Sequence, residues 1–365
     1  MTRILTVFGT RPEAIKMYPV IEELKKRKTM NVRIAVTAQH REMLDGVLEE
    51  FSIKPDFDLS LMISGQSLCD FTAKALVGVQ SVIRETLPDV IMVHGDTATA
   101  YASGMAAFFC GVPLAHVEAG LRTYNAKEPF PEEFFRRSLA TVSDYNFAPT
   151  EKAAENLLGE GVSRDRVFVT GNTAVDTLLY TVKEEYRSPL TDRCRDGRTV
   201  MLTLHRRESI GAPMRAVFRA VRRIAGSLPD IRIVYPMHKN PEVRKIAAEE
   251  LSLSDRIIVT EPLSVHDFHN MLARSALVLT DSGGVQEECA FLGKPTLVAR
   301  RVTERPEALS ASCRLVGVEE EGIYRALFLL LTDECEYRAA SVRTDAFGKG
   351  DAAIKIADAL ETSEN

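Results

Sequence analysis

Short, almost continuously apolar runs recur along the chain, separated by amphipathic stretches. Runs without strict alternation of apolar and polar residues are typical of strands buried on both faces of a parallel sheet. The pattern predicts six strands in the first half of the chain and five in the second. Their ranges are Ile4–Phe8, Val32–Thr37, Val90–Val93, Pro113–Val117, Tyr145–Ala148, Val167–Thr170, Val200–Leu204, Ile231–Tyr235, Arg256–Val259, Ala276–Thr280 and Pro295–Ala299.

Helical periodicity fills the intervals between these strands. Met214, Val217 and Val221 recur at helix spacing, and a shorter helical set runs from Phe268 to Leu272. Because strands and helices alternate, the pattern favours a doubly wound α/β architecture, and two series predict two Rossmann-like domains. The stretch Asp351–Leu360 predicts one more helix.

The boundary between the two domains is expected in the polar stretch Glu184–Arg198. This stretch contains Pro189 and Gly197 and has no sustained period, as is usual for a linker. A chain of 365 residues also exceeds what one hydrophobic core usually supports. We therefore expect a first domain over residues 1–184 and a second that begins at residue 185.

Composition and charge exclude several classes of protein. The chain has 46 basic and 51 acidic side chains, a formal charge of −5, so it lacks the basic surface of proteins that bind nucleic acid or anionic membrane. None of its six cysteines forms a C-x-x-C pair, and no apolar run approaches the length of a membrane span. We expect a cytoplasmic protein with reduced cysteines and no nucleic-acid or membrane partner.

The loop after the first predicted strand offers two cations at a place where ligands often bind. In open α/β sheets, ligands lie at the carboxyl ends of the strands. Gly9 permits a tight turn there, and Arg11 and Lys16 could contact an anion. On this motif alone, an ordinary strand–helix turn with a surface arginine is the preferred interpretation.

A glycine-rich helix start in the second series could bind a phosphate. Ser282, Gly283 and Gly284 follow a predicted strand, where backbone N–H groups at a helix start can approach a phosphate. Glu288, one turn later, could reach ribose hydroxyls. A plain capped helix start is the alternative. The chain contains neither G-x-G-x-x-G nor G-x-x-x-x-G-K-[ST], which argues against a standard NAD enzyme and a P-loop NTPase.

Three acids could share one crevice in the first domain. His94-Gly95-Asp96 and His116-Val117-Glu118 close two successive predicted strands, and Glu132 is predicted to open a helix. If strand geometry persists, a period of two directs histidine and acid to the same side. Clustered acids tune one another's pKa and suit proton transfer.

The same acids and histidines could also have structural or metal-binding roles. Asp96 could instead cap the following helix, and Glu132 could complement a helix dipole. Paired histidines and carboxylates could hold a divalent metal, as could His266 and His269, although no tight ligand motif occurs. His205, with two arginines behind it, suits a phosphate or leaving-group site; a solvated charged loop is the alternative.

An ordered set of motifs resembles one family. The set consists of Gly9-Thr10-Arg11-Pro12-Glu13, Gln39-His40-Arg41-Glu42-Met43-Leu44-Asp45, His94-Gly95-Asp96-Thr97, His116-Val117-Glu118-Ala119-Gly120-Leu121-Arg122-Thr123, Pro129-Phe130-Pro131-Glu132-Glu133, Gly171-Asn172-Thr173, His205-Arg206-Arg207-Glu208, Asp281-Ser282-Gly283-Gly284 and Thr303-Glu304-Arg305-Pro306-Glu307-Ala308. Together these segments are similar to the non-hydrolysing UDP-N-acetylglucosamine 2-epimerases, over nearly the whole chain.

The resemblance implies a fold, partners and a reaction. The fold would be glycosyltransferase-B-like, with the active site in the cleft between two Rossmann-like domains. A C-terminal helix over residues 351–365 would return to the first domain, which leaves 185–350 for the UDP-binding domain. The protein would be a homodimer that needs neither nicotinamide nor metal. It would invert C2 of UDP-N-acetylglucosamine by eliminating UDP to 2-acetamidoglucal and adding it back.

The resemblance also assigns residues by position. The catalytic residues would be Asp96, Glu118, Glu132 and His205. The substrate-binding residues would be Arg11, Lys16, Asp96, Glu118, His205, Phe268, Ser282, Gly283, Gly284, Glu288 and Arg305. Arg11, His205 and Arg305 would neutralise the diphosphate, and Phe268 would lie beside the uracil. A second, activating UDP-N-acetylglucosamine would contact Gln39, Gln66, Arg206 and His238.

Four positions depart from the pattern of the family. Leu263 replaces a glutamine near the nucleotide, and Phe135 replaces an asparagine before Arg136. Glu42 and Gly65 replace a glutamine and an arginine of the activator site. Phe135 keeps open a modified substrate, such as a diacetamido-uronate or a 6-deoxy sugar. A hydrolysing relative, a glycosyltransferase of the same fold and a catalytically silent nucleotide-sugar-binding protein are further alternatives.

Overall fold

The chain folds into two compact α/β units. A computed structural model describes residues 1–38, 41–63, 65–206, 209–251, 254–303 and 305–362. The first unit comprises residues 1–179 and 348–365, and the second comprises residues 180–347. Each unit contains one sheet whose paired strands are all parallel. The predicted fold class of two Rossmann-like units is confirmed.

The strands of each sheet follow the doubly wound order. The first sheet has the order β3-β2-β1-β4-β5-β6-β7, and the second has the order β10-β9-β8-β11-β12-β13. The strands are β1 Thr2–Phe8, β2 Met30–Val36, β3 Phe57–Asp58, β4 Val90–His94, β5 Leu114–Val117, β6 Tyr145–Ala148, β7 Val167–Val169, β8 Arg198–Thr203, β9 Ile231–Pro236, β10 Ile257–Thr260, β11 Leu277–Thr280, β12 Thr296–Val298 and β13 Cys313–Leu315.

Helices follow most of the strands. In chain order they are α1 Arg11–Lys26, α2 Arg41–Glu50, α3 Leu68–Thr86, α4 Ala98–Cys110, α5 Glu132–Val142, α6 Glu151–Gly159, α7 Thr173–Thr181, α8 Pro189–Arg193, α9 Ala212–Ser227, α10 Pro241–Leu251, α11 Val265–Arg274, α12 Gly283–Leu292, α13 Glu320–Thr332, α14 Glu334–Ala340 and α15 Ala352–Thr362. No helix in the described ranges is long and apolar enough to cross a membrane.

The continuous apolar runs form strands because both faces of each sheet are covered. Leu5 and Ile91 of the first sheet are fully buried, as are Leu202, Ile233 and Leu279 of the second. Burial of an aliphatic side chain contributes about 1.5–3 kcal/mol, so these runs supply much of the stability of each core. The loops at the carboxyl ends of the strands are therefore held by a rigid support.

Three predictions about local structure were wrong. The short edge strands β3 and β13 were missed, because two or three residues carry no recognisable period. The expected linker Glu184–Arg198 contains helix α8 and reaches the first residue of β8. Ser188 and Thr191 form a capping box there, with Pro189 in the first turn. Local capping thus starts a helix that has no apolar periodicity.

The C-terminal helix α15 packs against α1 in the first unit. Arg27 Nη2 lies 2.8 Å from Asp358 Oδ1, and Arg27 Nη1 lies 3.0 Å from Glu361 Oε2. At the start of α15, the Asp176 carboxylate accepts the backbone N–H groups of Ala352 at 3.3 Å and Ala353 at 2.8 Å. The last segment of the chain is thereby fixed to the loop and helix that follow β7.

Candidate functional site

The first unit gathers several of the predicted residues around one cavity. The cavity has a volume of about 590 Å³, and Arg11, Lys16, Asp96, Glu118 and Glu132 are among the residues that line it. Asp96 and Glu118 follow neighbouring strands of the sheet, and Glu132 is the first residue of α5. The structure therefore brings the three acids together with two cations.

The backbone turns sharply beside two of these acids. Gly95 has a φ of 66° and Glu118 a φ of 65°, so neither loop continues the strand before it. The assumption that strand geometry persists through Asp96 and Glu118 was therefore wrong. A left-handed conformation costs a residue with a side chain about 1–2 kcal/mol, and such strain often marks a functional position. Here it directs the Glu118 carboxylate into the cavity.

Glu118 is held by two donors. Lys16 Nζ forms a salt bridge with Glu118 Oε2, and Asn172 Nδ2 donates to the same oxygen at 2.8 Å. His94 Nε2 lies 3.9 Å away, but burial lowers the pKa of His94 to about 3, so that ring is neutral near neutral pH. Lys16 therefore supplies a positive charge next to Glu118, and hydrogen bonds from Lys16 and Asn172 favour the ionised carboxylate.

Asp96 lies in a different electrostatic environment. Burial raises the pKa of Asp96; Arg136 opposes this, while Glu118 and Glu132 add to it, and the net pKa is raised. Arg136 Nη2 lies 2.6 Å from Asp96 Oδ2. The alternative role of Asp96 as a helix cap is wrong, because Thr97 occupies the cap position and its side chain accepts the N–H of Ala100.

Glu132 opens helix α5, as expected, and one of its oxygens has no partner. Glu132 Oε2 is buried without a hydrogen bond, as are His94 Nε2 and Arg136 Nε. Buried polar atoms are normally satisfied, and each exception needs a physical reason. Three such atoms on residues in and around one cavity are expected where a polar ligand completes the hydrogen bonding.

Two buried acids that the sequence did not single out hold the surrounding loops. Glu13, 2% exposed, accepts the N–H groups of Gly9 at 3.0 Å and Thr10 at 2.8 Å and the Thr97 hydroxyl at 2.6 Å. The capping-box spacing of Thr10 and Glu13 was the signal available for it. A Cβ on Gly9 would lie only 2.0 Å from Thr37 Oγ1, so this close approach requires glycine.

Glu133 fixes the arginine that faces Asp96. Its carboxylate is fully buried, lies 3.7 Å from Arg136 Nη1, and accepts the N–H groups of Thr123 at 3.0 Å and Tyr124 at 2.9 Å. Three residues that precede Arg136 in α5 therefore have different roles. Glu132 is at the cavity, Glu133 supports the arginine, and Phe135 lines the cavity while stacking on Tyr101 at 4.7 Å between ring centroids.

In the second unit, the N-terminus of helix α12 lies shortly after the carboxyl end of β11. Gly283 and Gly284 occupy the first turn, where backbone N–H groups have no partner within the helix. Ser282 occupies the cap position without a side-chain cap hydrogen bond, and its N–H donates to Thr280 Oγ1 at 2.9 Å. The helix dipole and two glycines still make this a suitable place for a phosphate.

A buried acid shapes the His205 loop. Asp281 is fully buried and accepts the Arg206 N–H at 3.0 Å and the Ser209 hydroxyl at 2.8 Å. His205 Nδ1 lies 3.2 Å from Asp281 Oδ1, and the His205 side chain is 45% exposed. Asp281 therefore orients the imidazole with Nε2 outward. Asp281 was present in a recognised motif, but its support of His205 from 76 residues away had no local signal.

Glu288 has the features expected of a residue that binds a sugar hydroxyl. Its Oε2 is buried without a partner, and its Oε1 lies 3.5 Å from His269 Nε2. His269 Nδ1 hydrogen-bonds the Thr181 hydroxyl at 2.7 Å. His269 thus supports Glu288, and the described residues include no cluster of three or more His, Cys, Asp or Glu side chains suited to a metal ion.

The remaining predicted nucleotide contacts are partly buried. Phe268 and Leu263 both pack against the apolar core of the second unit. Arg305 Nε forms a salt bridge with the buried Glu287 carboxylate, so its charge is already partly compensated. Burial lowers the pKa of Arg11, while Glu50 raises it.

The predicted activator residues are spread over both units. Gln39 lies outside the described residues, as do Arg207, Glu208 and Glu304 of the motifs. Gln66, in the first unit, accepts the N–H of Ile63 at 3.0 Å, and its Nε2 is buried without a partner. His238 stacks near His205 in the second unit, with 6.4 Å between ring centroids, and Arg206 follows His205.

Comparisons with known proteins agree with this architecture. The family described as UDP-N-acetylglucosamine 2-epimerase matches residues 22–361. The chain is 48% identical over 359 residues to the UDP-N-acetylglucosamine 2-epimerase of Bacillus subtilis strain 168, covering 98% of this chain and 94% of that protein.

Two solved structures extend the likeness to the fold. The S. aureus MnaA–UDP co-structure has a TM-score of 0.93 and 46% identity, covering 100% of this chain and 97% of the other. The UDP-GlcNAc 2-epimerase from Neisseria meningitidis bound to UDP-GlcNAc has a TM-score of 0.92 and 39% identity, covering 99% and 100%. These matches confirm the glycosyltransferase-B-like fold expected from the sequence.

Proposed function

Since this chain belongs to the UDP-N-acetylglucosamine 2-epimerase family and is an isomerase, we propose that it inverts C2 of UDP-N-acetylglucosamine by elimination and re-addition of UDP. The observation that carries the mechanism is the group of Asp96, Glu118 and Glu132 around one cavity. No redox group is needed, because the same bonds are broken and formed again.

The proposed reaction breaks and re-forms two bonds. A carboxylate removes the C2 proton, the C–H electrons form a C1=C2 double bond, and the C1–O bond breaks to release UDP. The intermediate is 2-acetamidoglucal. A proton then adds to C2 from the opposite face while a UDP oxygen bonds to C1, which gives UDP-N-acetylmannosamine. The reverse direction uses the same groups with exchanged roles.

The different environments of the acids support different roles in this reaction. Epimerisation in one direction requires one ionised carboxylate and one protonated carboxyl. Glu118, with donors from Lys16 and Asn172, suits the ionised base. Asp96 suits the acid, because its pKa is raised, mainly by burial. Glu132, with its unpartnered oxygen, would bind or exchange a proton beside them.

The second unit would hold the nucleotide in this proposal. The N-terminus of α12 with Gly283 and Gly284 would bind the diphosphate, and His205 Nε2 would stabilise the charge that develops when UDP leaves. Arg11 and Arg305 would add positive charge. Glu288 would accept from the ribose hydroxyls through its unpartnered Oε2. Phe268 would contact the uracil.

The reaction is tested directly by its products. The protein would be incubated with UDP-N-acetylglucosamine alone, and the nucleotide sugars separated and identified by NMR. We expect UDP-N-acetylmannosamine, and the same equilibrium mixture when that product is the starting material. Free N-acetylmannosamine with UDP would instead indicate a hydrolysing enzyme. No product without an added acceptor would favour a glycosyltransferase or a silent binding protein.

The elimination step has its own test. UDP-N-acetylglucosamine carrying ¹⁸O in the oxygen between C1 and the β-phosphorus would be recovered after partial reaction. If the C1–O bond breaks, the label moves into the non-bridging β-phosphate positions, which ³¹P NMR resolves. Label that stays in the bridging position in both recovered substrate and product would contradict the elimination.

A modified sugar is a second candidate substrate, favoured by Phe135. This ring is buried and lines the cavity beside the acids, where it offers no hydrogen bond to a sugar hydroxyl. A UDP-linked 6-deoxy sugar has no hydroxyl at C6, so it would lose less hydrogen-bonding free energy against this ring than UDP-N-acetylglucosamine. The two UDP-sugars would be compared by kcat/KM. A higher value for the 6-deoxy sugar would establish it as the preferred substrate.

Two further expectations come from the resemblance. The first is a homodimer. Phe108 and Phe109 on α4 are large, exposed and apolar, as is common on association surfaces. Light scattering should give the mass of two chains. For an activating second nucleotide sugar at Gln39, Gln66, Arg206 and His238, the initial rate would rise sigmoidally with substrate concentration. A linear rise at low concentration would argue against activation.

A further inference from the structure

Asn172 belongs to the segment Gly171-Asn172-Thr173, to which the proposed reaction gives no direct role. It lies between β7 and α7 and is 2% exposed. Its Nδ2 donates to Glu118 Oε2 at 2.8 Å, and its Oδ1 accepts the N–H of Ala174 at 2.9 Å. Because a backbone N–H can only donate, the second bond assigns the amide oxygen to Ala174 and the amide nitrogen to Glu118.

The C-terminal segment supports the Asn172 loop from the other side. A Cβ on Gly348 would lie 2.9 Å from the Cα of Gly171, so the two backbones are in close contact. In the first turn of α7, Asp176 receives the first N–H groups of α15 from Ala352 and Ala353. The position of Asn172 is thus set by the fold and not by a flexible side chain alone.

We infer that Asn172 is a positioning residue for Glu118: it fixes the direction of the carboxylate and keeps it ionised for the transfer of the C2 proton. This inference rests on the proposed function, in which Glu118 is a base.

Lys16 and Asn172 contribute different things to the same oxygen. Lys16 supplies a full charge, but its four-carbon side chain and three equivalent donors impose little direction. The Asn172 amide is anchored to the backbone through Ala174, so it fixes one carboxylate oxygen in space. Outer hydrogen bonds of this kind orient a reacting group, and their loss typically costs about 10–100-fold in metal affinity or activity where they support metal ligands.

Two variants separate this role from a purely structural one. Asn172→Asp keeps an oxygen that can accept the Ala174 N–H. It replaces the amide N–H that donates to Glu118 by a carboxylate oxygen, so two negative charges then face each other. Asn172→Leu keeps the branching and the number of heavy side-chain atoms but removes both the donor to Glu118 and the acceptor for the Ala174 N–H. The matched control is Asn146→Leu in β6, a fully buried asparagine whose Nδ2 donates to the carbonyl oxygens of Ser143 at 3.4 Å and Arg166 at 3.3 Å.

The pKa of Glu118 is the decisive quantity. It would be measured in the full chain by ¹³C NMR titration of the glutamate side-chain carboxyls, with the Glu118 signal assigned from Glu118→Gln. We expect both Asn172 variants to raise the pKa of Glu118 by about 1 or more, because a donor to the charged form is lost and, in Asn172→Asp, a like charge is added. Asn146→Leu should leave it unchanged.

Kinetics provide the second readout. In both Asn172 variants we expect kcat for UDP-N-acetylglucosamine to fall about 10–100-fold with KM changed less than about threefold, and the acid limb of kcat/KM to move to higher pH by the same amount as the Glu118 pKa. An unchanged Glu118 pKa in both variants would overturn the inference. The NMR result does not depend on turnover, so a protein that fails to epimerise this sugar would refute the proposed function separately.

Discussion

The two units obtain their functional groups by different physical means. In the first unit, the groups are side-chain charges buried close together, with Arg136 beside Asp96 and Lys16 beside Glu118. In the second unit, the start of α12 has backbone N–H groups without a side-chain cap, and the buried carboxylate of Asp281 holds the His205 loop. The first arrangement suits proton transfer, and the second suits the binding of a diphosphate.

This difference explains why the two sites depend on different parts of the sequence. Asp96 and Glu118 in the first unit are each held by a residue far away in the chain, Arg136 and Asn172 respectively. In the second unit, a glycine-rich helix start supplies most of what is needed within a few residues. Substitutions in the first unit should therefore change proton transfer, and those in the second should change nucleotide binding and, through His205, the departure of UDP.

The largest effect is expected from neutralising the acids of the first unit. Asp96→Asn, Glu118→Gln and Glu132→Gln should each lower kcat by about 10²–10⁴-fold, because each removes a group proposed to exchange or bind a proton. Affinity for UDP, measured by calorimetry, should change little. Glu151→Gln, an exposed acid at the start of α6, is the control. Near-normal kcat in any one of the three variants would remove that residue from the role.

The next largest effect is expected from the packing of helix α5 at the cavity of the first unit. Phe135 and Phe134 are neighbours on α5, but Phe135 is 5% exposed and Phe134 is 50% exposed. Phe135→Ala should destabilise the first unit by about 3–5 kcal/mol, because it removes a buried ring stacked on Tyr101.

Phe134→Ala is the matched control for this measurement. It should cost less than about 1 kcal/mol in the same denaturant titration, since half of the ring is already in water. Equal losses in the two variants would show that the Phe135 ring does not hold α5 against the wall of the cavity.

A smaller effect is expected from the acid that organises the second unit. Asp281→Asn replaces an acceptor oxygen by a donor and should cost the second unit about 1–3 kcal/mol. Nucleotide affinity should fall about tenfold as His205 loses its orientation. Calorimetry with UDP and denaturant unfolding measure the two effects, with the exposed Asp255→Asn as control. A kcat loss without a loss of UDP affinity would contradict the division of roles.

The smallest effect compares the pH response of two buried carboxylates. Burial raises the pKa of Asp281, but the hydrogen bonds from His205, Arg206 and Ser209 and the charge of His205 outweigh it, so the pKa is lowered. Asp281 therefore stabilises the fold above its ordinary pKa of 3.8, and this contribution is lost as the pH falls through the lowered value. Burial raises the pKa of Asp176 to about 6 despite the N–H groups of Ala353 and Ala352. Its contribution is present below 3.8 and is lost as the pH rises through about 6.

The stability of Asp176→Asn relative to the unsubstituted protein should therefore increase as the pH rises. Between about pH 4.5 and about pH 7.5 the difference in the free energy of unfolding should move in favour of the variant by roughly 1–2 kcal/mol. Denaturant titrations at both pH values measure it. A difference that moves in the opposite direction would mean that the N–H groups of α15 outweigh the burial of Asp176.

Much of the fold could be predicted from the sequence, because buried parallel strands leave a continuous apolar signal. Eleven strands and the α12 start follow from such local patterns, whereas the short edge strands β3 and β13 do not. Asp96, Glu118 and Glu132 were recognisable because each follows a strand or starts a helix. Arg136, the partner of Asp96, and Asn172, the partner of Glu118, were not, since a salt bridge across 40 residues or a hydrogen bond across 54 has no local period. The left-handed turn at Glu118 was equally invisible.

Isotope exchange measures directly whether the first unit removes and returns the C2 proton of UDP-N-acetylglucosamine, as we propose. The protein would react with this substrate in deuterated water while NMR follows C2. We expect one deuterium at C2 of every UDP-N-acetylmannosamine molecule formed, and strongly reduced incorporation in Glu118→Gln. A product that forms at the normal rate with hydrogen retained at C2 would contradict it.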